Sequence, residues 1–193
     1  LPVAYNGRAS SIVISDSDIR RPTGQIYEQA NGIVKFEPTK KLDFELEMGT
    51  IIGSRLPIGE TLDFEGAENL IFGYVLLNDW SARDIQAWEY QPLGPFLSKS
   101  FGTSISPWIV TPEALEPFKT TPPKRDFQLL PHFEDDKAFV FDIDLKATLI
   151  EHGGMETKIV ETNAKELYYS PVQQLIHHAS AGCLSLIHIS EPT

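Results

Sequence analysis

The chain has 193 residues, a formal net charge of −11 at pH 7, 41% hydrophobic residues and 22% charged residues. This composition is typical of a globular protein with a substantial core. The acidic balance argues against a nucleic-acid or anionic-membrane partner, because those partners are bound through basic patches. The single cysteine, Cys183, excludes an internal disulfide and a multi-cysteine zinc site, and we expect it to be a small buried residue. A cytoplasmic protein is the best interpretation.

The first predicted elements are two strands. Apolar residues alternate with acids over residues 42–48, which predicts a strand with Asp43, Glu45 and Glu47 on one face. A nearly continuous apolar run over residues 69–77 predicts a strand that is buried on both faces.

A short helix is predicted next, with Ser81 as its N-cap and its end near Ala87. Within it, Arg83 and Gln86 are three residues apart and therefore neighbours on one face. Residues 91–131 are rich in proline but also contain aromatic residues, which indicates an ordered, irregular segment rather than a flexible linker. We expect that segment to contain a strand over residues 104–110 and a short helix that begins at Thr111.

The C-terminal third contains the clearest helix signal. A strand is predicted over residues 139–149 and another over residues 155–161, with a hairpin turn at Gly153-Gly154. Ser170 and Gln173 are spaced as a capping box around Pro171 at the first helical position, and Gly182 is the stop signal. Within this helix, adjacent His177 and His178 point about 100° apart, so we expect one to pack and the other to cap the helix or face solvent. The sequence as a whole predicts a mainly β protein with short helices, of the α+β class.

Three acids form the first functional pattern. Glu45 and Glu47 alone are explained by a strand with one face in water. Asp79 is harder to explain in this way, because it ends an apolar strand and a buried, unpaired carboxylate costs several kcal/mol. A hard divalent cation would offset this cost for all three carboxylates. The residue types alone leave the metal site and the solvated face equally supported.

Donor groups form the second pattern. Arg83 and Gln86 lie among Trp80, Trp88 and Tyr90, which suggests a walled pocket with donors for an anionic oxygen. Lys99 alone is more simply explained as a charge that neutralises the acids. Tyr90 either packs or contacts a ligand. Arg8, after an Asn-Gly turn, is either a surface residue or a clamp for a substrate carboxylate.

These motifs closely resemble the fumarylacetoacetase family, and the resemblance extends over about residues 1–183. The motifs that carry it are Glu45-Leu46-Glu47, the run from Asn78 to Gln86 (NDWSARDIQ), the run from Trp88 to Phe96 (WEYQPLGPF) and the run from Lys99 to Trp108 (KSFGTSISPW).

The resemblance implies a fold and an activity. The fold would be a mixed β-sandwich roll, homodimeric when the protein is full length. The activity would be hydrolysis of the carbon–carbon bond of 4-fumarylacetoacetate to fumarate and acetoacetate, the last step of tyrosine and phenylalanine catabolism.

The resemblance also implies roles for individual residues. A Mg²⁺ or Ca²⁺ ion would be held with Glu45, Glu47 and Asp79 as ligands and with Lys99 and Thr103 at positions around the ion. Catalytic donors would be Arg83, Gln86 and Lys99, and substrate contacts would be Arg8, Gln86 and Tyr90.

The chain also departs from the family pattern. The family's catalytic histidine and first metal carboxylate lie upstream of the segment that matches Leu1, so we expect a partial catalytic domain over residues 1–183, incomplete at both ends and inactive alone. Residues 184–193 resemble an artefactual tail. Ser98 replaces a common glycine. The alternatives are another superfamily member, such as an acylpyruvate hydrolase or oxaloacetate decarboxylase, or an inert structural fragment.

Overall fold

A computed structural model describes Tyr5, residues 7–134 and residues 137–183. The tail predicted over residues 184–193 lies outside this part of the chain. The α-helices of the described residues are α1 (Phe64–Leu70), α2 (Arg83–Glu89), α3 (Pro112–Leu115) and α4 (Pro171–Ala179). The strands are β1 (Ile12–Ile14), β2 (Thr23–Glu28), β3 (Ile33–Pro38), β4 (Leu42–Asp43), β5 (Leu46–Ile52), β6 (Ile71–Asp79), β7 (Ser81–Ala82), β8 (Thr103–Ile105), β9 (Lys119–Thr120), β10 (Val140–Phe141), β11 (Asp144–Ile150) and β12 (Glu156–Asn163).

The predicted class, mostly strands with a few short helices, is confirmed. Among the described residues, every helix is too short or too polar to cross a membrane. The chain divides into two compact units. The charged unit comprises Val3–Glu47 and Leu76–Pro107, and the apolar unit comprises Met48–Val75 and Trp108–Thr193 with Leu1–Pro2. The single domain expected over residues 1–183 stays a prediction.

The strands of the first 105 residues pair in short ladders. A four-stranded sheet has the order β1-β8-β6-β5, in which β1 is parallel to β8 and β8 is antiparallel to β6. Strands β2 and β3 form a hairpin, and β4 pairs with β7. Helix α2 packs closely on β2 at Gly24, where an added Cβ would lie 2.7 Å from a side-chain carbon of Ile85. Glycine at this position therefore lets the helix approach the hairpin.

The strand expected over residues 42–48 is interrupted. Strand β4 ends at Asp43 and β5 begins at Leu46, because β4 pairs with β7 whereas β5 belongs to the larger sheet. At the interruption, the Glu45 backbone N–H donates to Asn78 Oδ1 at 3.3 Å, and the Glu45 carbonyl accepts from the Asp79 N–H at 3.2 Å. The interruption is set by two different strand partners, which apolar alternation cannot reveal.

Two neighbouring boundaries were also predicted wrongly. Ser81 is not the N-cap of α2, because it lies in β7 and its hydroxyl donates to the Asp79 carbonyl at 3.2 Å. Residues 69–70 belong to α1, which Asp63 caps by accepting from the Gly66 N–H at 2.8 Å. Strand β6 is largely buried, although Phe72 and Leu76 are exposed, so it is not buried on both faces along its whole length.

The apolar unit has a core of aliphatic and aromatic side chains. Its buried members are Ile52, Ala67, Ile71, Tyr74, Leu115, Phe133, Phe141, Val172, Leu175 and Ile176. Helix α4 begins as predicted, since the Ser170 hydroxyl accepts from the Gln173 N–H at 3.0 Å and the Gln173 side chain accepts from the Ser170 N–H at 2.9 Å. The predicted stop at Gly182 has a φ of 70°, a left-handed conformation that favours glycine.

Other predictions in the C-terminal half are partly correct. The hairpin is present, with β11 and β12 antiparallel and Gly154 at a φ of 80°. The strand expected over residues 139–149 splits into β10 and β11, because β10 pairs with β9 and β11 with β12. The strand expected over residues 104–110 is only β8 and a single bridge at Val110, whereas the helix after Thr111 is present as α3.

Of two predictions about side chains near the end of α4, the one for Cys183 is wrong and the one for His177 and His178 is correct only in part. Cys183 is exposed rather than buried, and its thiol donates to the His178 carbonyl at 3.0 Å. His177 and His178 are both half-buried, so neither faces solvent fully. The ring of His177 lies 5.8 Å from that of Phe133.

Candidate functional site

Three carboxylates converge in the charged unit. Glu45, Glu47 and Asp79 each offer an oxygen within 4.8 Å of the others. Glu47 and Asp79 are 1% and 2% exposed, whereas Glu45 is partly buried. Buried acids this close together repel one another unless cations or a metal ion compensate them. The geometry is therefore that of a charge-compensated site rather than of a solvated strand face.

Local backbone structure positions these side chains. The interruption before β5 brings the Glu45 backbone against residues 78–79, and Asp79 ends β6 directly opposite Thr103 of β8. Residues directly opposite in antiparallel strands project their side chains from the same face. Thr103, which is also buried, therefore lies on the neighbouring strand beside Asp79.

Two cations connect the acids. The Lys99 ammonium lies 2.6 Å from Glu45 Oε2 and 2.9 Å from Asp79 Oδ2, and the residue is 3% exposed. The Arg83 guanidinium contacts Glu45 Oε1 at 2.7 Å through Nη2 and Asp43 Oδ2 at 2.8 Å through Nε. The five side chains therefore form a continuous chain of alternating charge, from Asp43 to Asp79.

These ion pairs shift two pKa values. Burial acts to raise the pKa of Glu45, but hydrogen bonds and charge attraction from Lys99 and Arg83 outweigh burial and hold the pKa below its usual range. Burial acts to lower the pKa of Arg83, but its bonds to Asp43 and Glu45 raise the pKa above the ordinary value. The charged forms of both residues are thus favoured by their mutual contacts.

Sequence reasoning missed three residues at the site. The Tyr5 hydroxyl donates a short hydrogen bond to Asp79 Oδ2, and the Tyr5 ring lies 5.4 Å from the Lys99 ammonium. Ser81 bonds the Asp79 carbonyl, and Asp43 holds Arg83. Asp43 had a signal, because it belongs to the alternating acid pattern. Tyr5 is 74 residues from Asp79 in sequence, and no local pattern points to it.

The donor set fits a hard divalent cation. Asp79 Oδ1 is buried and accepts no hydrogen bond from the described residues, so an oxygen atom with full ligand capacity is available beside the other carboxylates. Carboxylate oxygens are the ligands that Mg²⁺ and Ca²⁺ prefer. Lys99 has no acceptor atom, so its ammonium can only neutralise the acids from outside the ligand set.

The remaining candidate residues lie at different distances from the cluster. Gln86 is connected to it, since its side-chain oxygen accepts from Arg83 Nη1 at 3.1 Å. Tyr90 follows α2 and is 45% exposed. Arg8 is exposed beside a short 3-10 turn, and among the described residues no ion pair joins it to the carboxylates. The structure therefore groups Gln86 with the site and leaves Arg8 and Tyr90 at the surface.

The aromatic residues near α2 do not all line a pocket. The Trp88 indole N–H donates to Gln25 at 3.0 Å, and its ring stacks on Tyr27 with 5.4 Å between ring centroids. The Trp80 indole N–H donates to Ser104 at 3.0 Å. Trp88 therefore packs on the β2–β3 hairpin, which corrects the expectation that it forms a pocket wall.

Comparison with curated sequences gives consistent relatives. The fumarylacetoacetase of Arabidopsis thaliana is 52% identical over 184 residues, which cover 95% of this chain and 44% of that protein. The fumarylacetoacetase of Homo sapiens is 47% identical over 184 residues, with the same coverage of both chains. The chain thus spans less than half the length of these relatives.

Solved structures show the same fold at lower identity. A fumarylacetoacetate hydrolase from the psychrophile Exiguobacterium antarcticum has a TM-score of 0.56 and 22% identity, and the match covers 94% of this chain and 50% of that chain. A 5-carboxymethyl-2-hydroxymuconate delta-isomerase from Mycobacterium smegmatis has a TM-score of 0.54 and 17% identity, over 96% of this chain and 68% of that chain. At such identities the likeness concerns the fold alone.

The family model described as fumarylacetoacetate (FAA) hydrolase C-terminal matches residues 1–186, nearly the whole chain. The chain belongs to the fumarylacetoacetate hydrolase family.

Proposed function

We propose that this chain supplies the metal-binding and oxyanion-stabilising part of a fumarylacetoacetase, which hydrolyses the carbon–carbon bond of 4-fumarylacetoacetate to fumarate and acetoacetate. The observation that carries the proposal is the convergence of three carboxylates bridged by a buried lysine and a fixed arginine. Curated relatives with this enzyme name, 52% and 47% identical over the 184 aligned residues, support the choice of substrate.

The proposed cofactor is Mg²⁺ or Ca²⁺. Glu45, Glu47 and Asp79 would hold it, with the Thr103 hydroxyl nearby and Lys99 outside the ligand set. When bound, such an ion would polarise the diketone oxygens and neutralise the negative charge that develops as the bond breaks. The buried Asp79 Oδ1, which lacks a hydrogen bond from the described residues, supports this assignment.

Arg83, Gln86 and Lys99 would act on the anionic oxygens of the substrate. Arg83 is fixed by Asp43, Glu45 and Gln86, and Lys99 is fixed by buried carboxylates. Donors that are held in place before the reaction need no reorganisation when charge develops, and each such donor contributes about 10²–10³ in rate. The proposed catalytic contribution of these residues is therefore preorganised electrostatic stabilisation.

Substrate contacts, assembly and location complete the proposal. Arg8 and Tyr90 are exposed and would bind the carboxylate or carbonyl ends of the diketo acid together with Gln86. We also propose a homodimer of the full-length protein, a cytoplasmic location and a role in tyrosine and phenylalanine catabolism.

Steady-state kinetics of the complete polypeptide that contains this chain, with saturating Mg²⁺, test the proposal. We expect Lys99→Ala and Arg83→Ala each to lower kcat for fumarylacetoacetate by about 10²–10³ with a smaller change in KM, because these donors act mainly in the transition state. Lys119→Ala is the matched control, since Lys119 is an ion-paired lysine of the apolar unit, bonded to Glu68 and Glu116.

Two outcomes would contradict the proposal. A pure KM effect in both variants would mean that the donors only bind substrate. Turnover of an acylpyruvate or oxaloacetate by the unsubstituted protein at a higher kcat/KM than fumarylacetoacetate would assign the site to a different reaction.

A further inference from the structure

The carboxylate of Glu89 caps the turn that leads into Lys99. Glu89 Oε1 accepts from the backbone N–H groups of Phe96 at 2.8 Å and Ser98 at 2.9 Å, and Oε2 accepts from that of Leu97 at 3.1 Å. The Ser98 hydroxyl donates to the same Oε1 at 2.6 Å. One side chain therefore accepts four hydrogen bonds from three consecutive residues.

These contacts fix the start of a short helix. Leu97–Lys99 is a 3-10 helix, and the first N–H groups of a helix have no partner within the helix. Hydrogen bonds to a charged acceptor are roughly twice as strong as neutral ones. Ser98 is fully buried, so its amide and hydroxyl would otherwise lose hydrogen bonds to water without replacement. Glu89 thus prevents the free-energy cost of a buried amide and hydroxyl without hydrogen bonds at Ser98, the residue immediately before Lys99.

Glu89 also connects this turn to the other donors. It is the last residue of α2, the helix that begins with Arg83 and contains Gln86. Lys99, one residue after the capped amides, bonds Glu45 and Asp79. The Glu89 carboxylate therefore joins the helix that carries two proposed donors to the turn that carries the third.

We propose that Glu89 is a positioning residue that holds Lys99 in place relative to Arg83 and Gln86, with the Ser98 hydroxyl as an additional contact. This inference rests on the proposed function only for the effect on turnover. The structural part, that Glu89 fixes the Lys99 turn, does not depend on which reaction the protein performs.

The structural part is tested first, in the complete polypeptide without substrate. Acylation of Lys99 by acetic anhydride, followed by mass spectrometry, measures how often this buried amine becomes accessible. We expect Glu89→Ala to raise the Lys99 acylation rate at least about tenfold, because the lost charge-assisted bonds favour local opening. Amide hydrogen exchange at residues 96–98 should accelerate in parallel.

Matched variants separate this effect from general destabilisation. Asp63→Ala removes another carboxylate that accepts from a backbone N–H, at the start of α1 in the apolar unit, and should leave Lys99 acylation unchanged. Ser98→Ala removes only the hydroxyl and should give a smaller increase than Glu89→Ala. Glu89→Gln keeps an oxygen acceptor for Phe96 and Ser98, so it should restore most of the protection even if the alanine variant folds poorly.

The kinetic part uses the same variants. Glu89→Ala should lower kcat for fumarylacetoacetate by about 10–100-fold with KM within about threefold, because a displaced donor weakens transition-state stabilisation more than binding. Glu89→Gln should recover much of this loss. Asp63→Ala should retain the unsubstituted kcat.

The outcomes distinguish the two proposals. Unchanged Lys99 acylation and amide exchange in Glu89→Ala would overturn the positioning role, whatever the protein hydrolyses. A raised acylation rate together with an unsubstituted protein that does not hydrolyse fumarylacetoacetate would support the positioning role and overturn the proposed function. A raised acylation rate with unaltered kcat would show that Lys99 placement does not matter for turnover, and would overturn the link to catalysis.

Discussion

Burial has opposite energetic consequences in the two units. In the apolar unit, the most buried side chains include Leu175 at 1% exposure and Ile176 at 2%, and their burial stabilises the fold by about 25 cal/mol for each Å² of apolar surface. In the charged unit, Glu47 and Lys99 are as deeply buried, at 1% and 3% exposure. Burying an ion costs several kcal/mol before its partners compensate. The apolar unit thus gains stability from burial, whereas in the charged unit burial has a cost that ion pairs between acids and cations must offset.

The largest expected effect comes from removal of the Asp79 carboxylate in the charged unit. Asp79→Ala should lower kcat/KM in the complete polypeptide by on the order of 10³ or more, because it removes a proposed metal ligand and a partner of Lys99 at once. Calorimetric titration with Mg²⁺ and Ca²⁺ should show weaker binding as well. Asp144→Ala, at an exposed acid of the apolar unit, is the control. A kcat/KM within tenfold of that of the unsubstituted protein would show that Asp79 is not part of the active site.

A core substitution in the apolar unit should lower the free energy of unfolding without lowering kcat. Leu175→Ala should lower the free energy of unfolding by about 2–5 kcal/mol, because it leaves a cavity among buried side chains. At a temperature where the variant is folded, kcat should be unchanged. Urea denaturation measures the first quantity and kinetics the second. Leu149→Ala, at a side chain 51% exposed, should change the unfolding free energy by less than about 0.5 kcal/mol. A decrease in the free energy of unfolding of less than about 1 kcal/mol for Leu175→Ala would contradict the stabilising role of burial in the apolar unit.

The smallest expected effect is a pH-dependent change in stability at Asp84 of the charged unit. Burial acts to raise the pKa of Asp84, but hydrogen bonds from the Thr39 hydroxyl and from the backbone N–H groups of Lys40 and Ile85 lower the pKa below the ordinary value of 3.8. A carboxyl whose pKa is lower in the folded state stabilises the fold above its unfolded pKa, and this stabilisation is lost as the pH falls through the folded value.

Asp84→Asn should therefore be less stable than the unsubstituted chain at pH 7, by less than Leu175→Ala, and the difference should shrink below about pH 3.8. Urea denaturation over this pH range measures it. A difference that stays constant as the pH falls would show that the carboxylate charge does not matter for stability.

Local signals in the sequence were predictive where no distant strand pairing overrode them, and the distant pairings themselves were not predicted. The capping box at Ser170 and the turn at Gly154 depend on a few adjacent residues, and both are present in the structure. The convergence of Glu45, Glu47 and Asp79 was accessible because a buried acid after an apolar strand needs compensation. The contacts of Tyr5 and the strand role of Ser81 depend on chain segments far apart in sequence, so no local pattern encodes them.

The roles of Lys99 and Glu89 illustrate the same limit. Lys99 alone was adequately explained as a neutralising charge, and only its burial between Glu45 and Asp79 makes its placement demanding. Glu89 lies in the motif Trp88 to Phe96, but sequence reasoning gave Glu89 itself no role. Its function as a cap requires that the chain between Tyr90 and Phe96 fold back on α2, which a proline-rich segment does not reveal.

The interruption between β4 and β5 has a consequence for insertions and deletions. Side chains alternate along a strand, so a one-residue insertion or deletion within β5 would exchange the faces of Glu47 and Met48. A length change at Phe44, between the strands, would leave the pairing of β4 with β7 intact but would displace Glu45, whose backbone bonds Asn78 and Asp79. The length of this acidic segment is thus constrained from Asp43 to Glu47, and homologous chains that keep the carboxylate cluster should not vary in length across it.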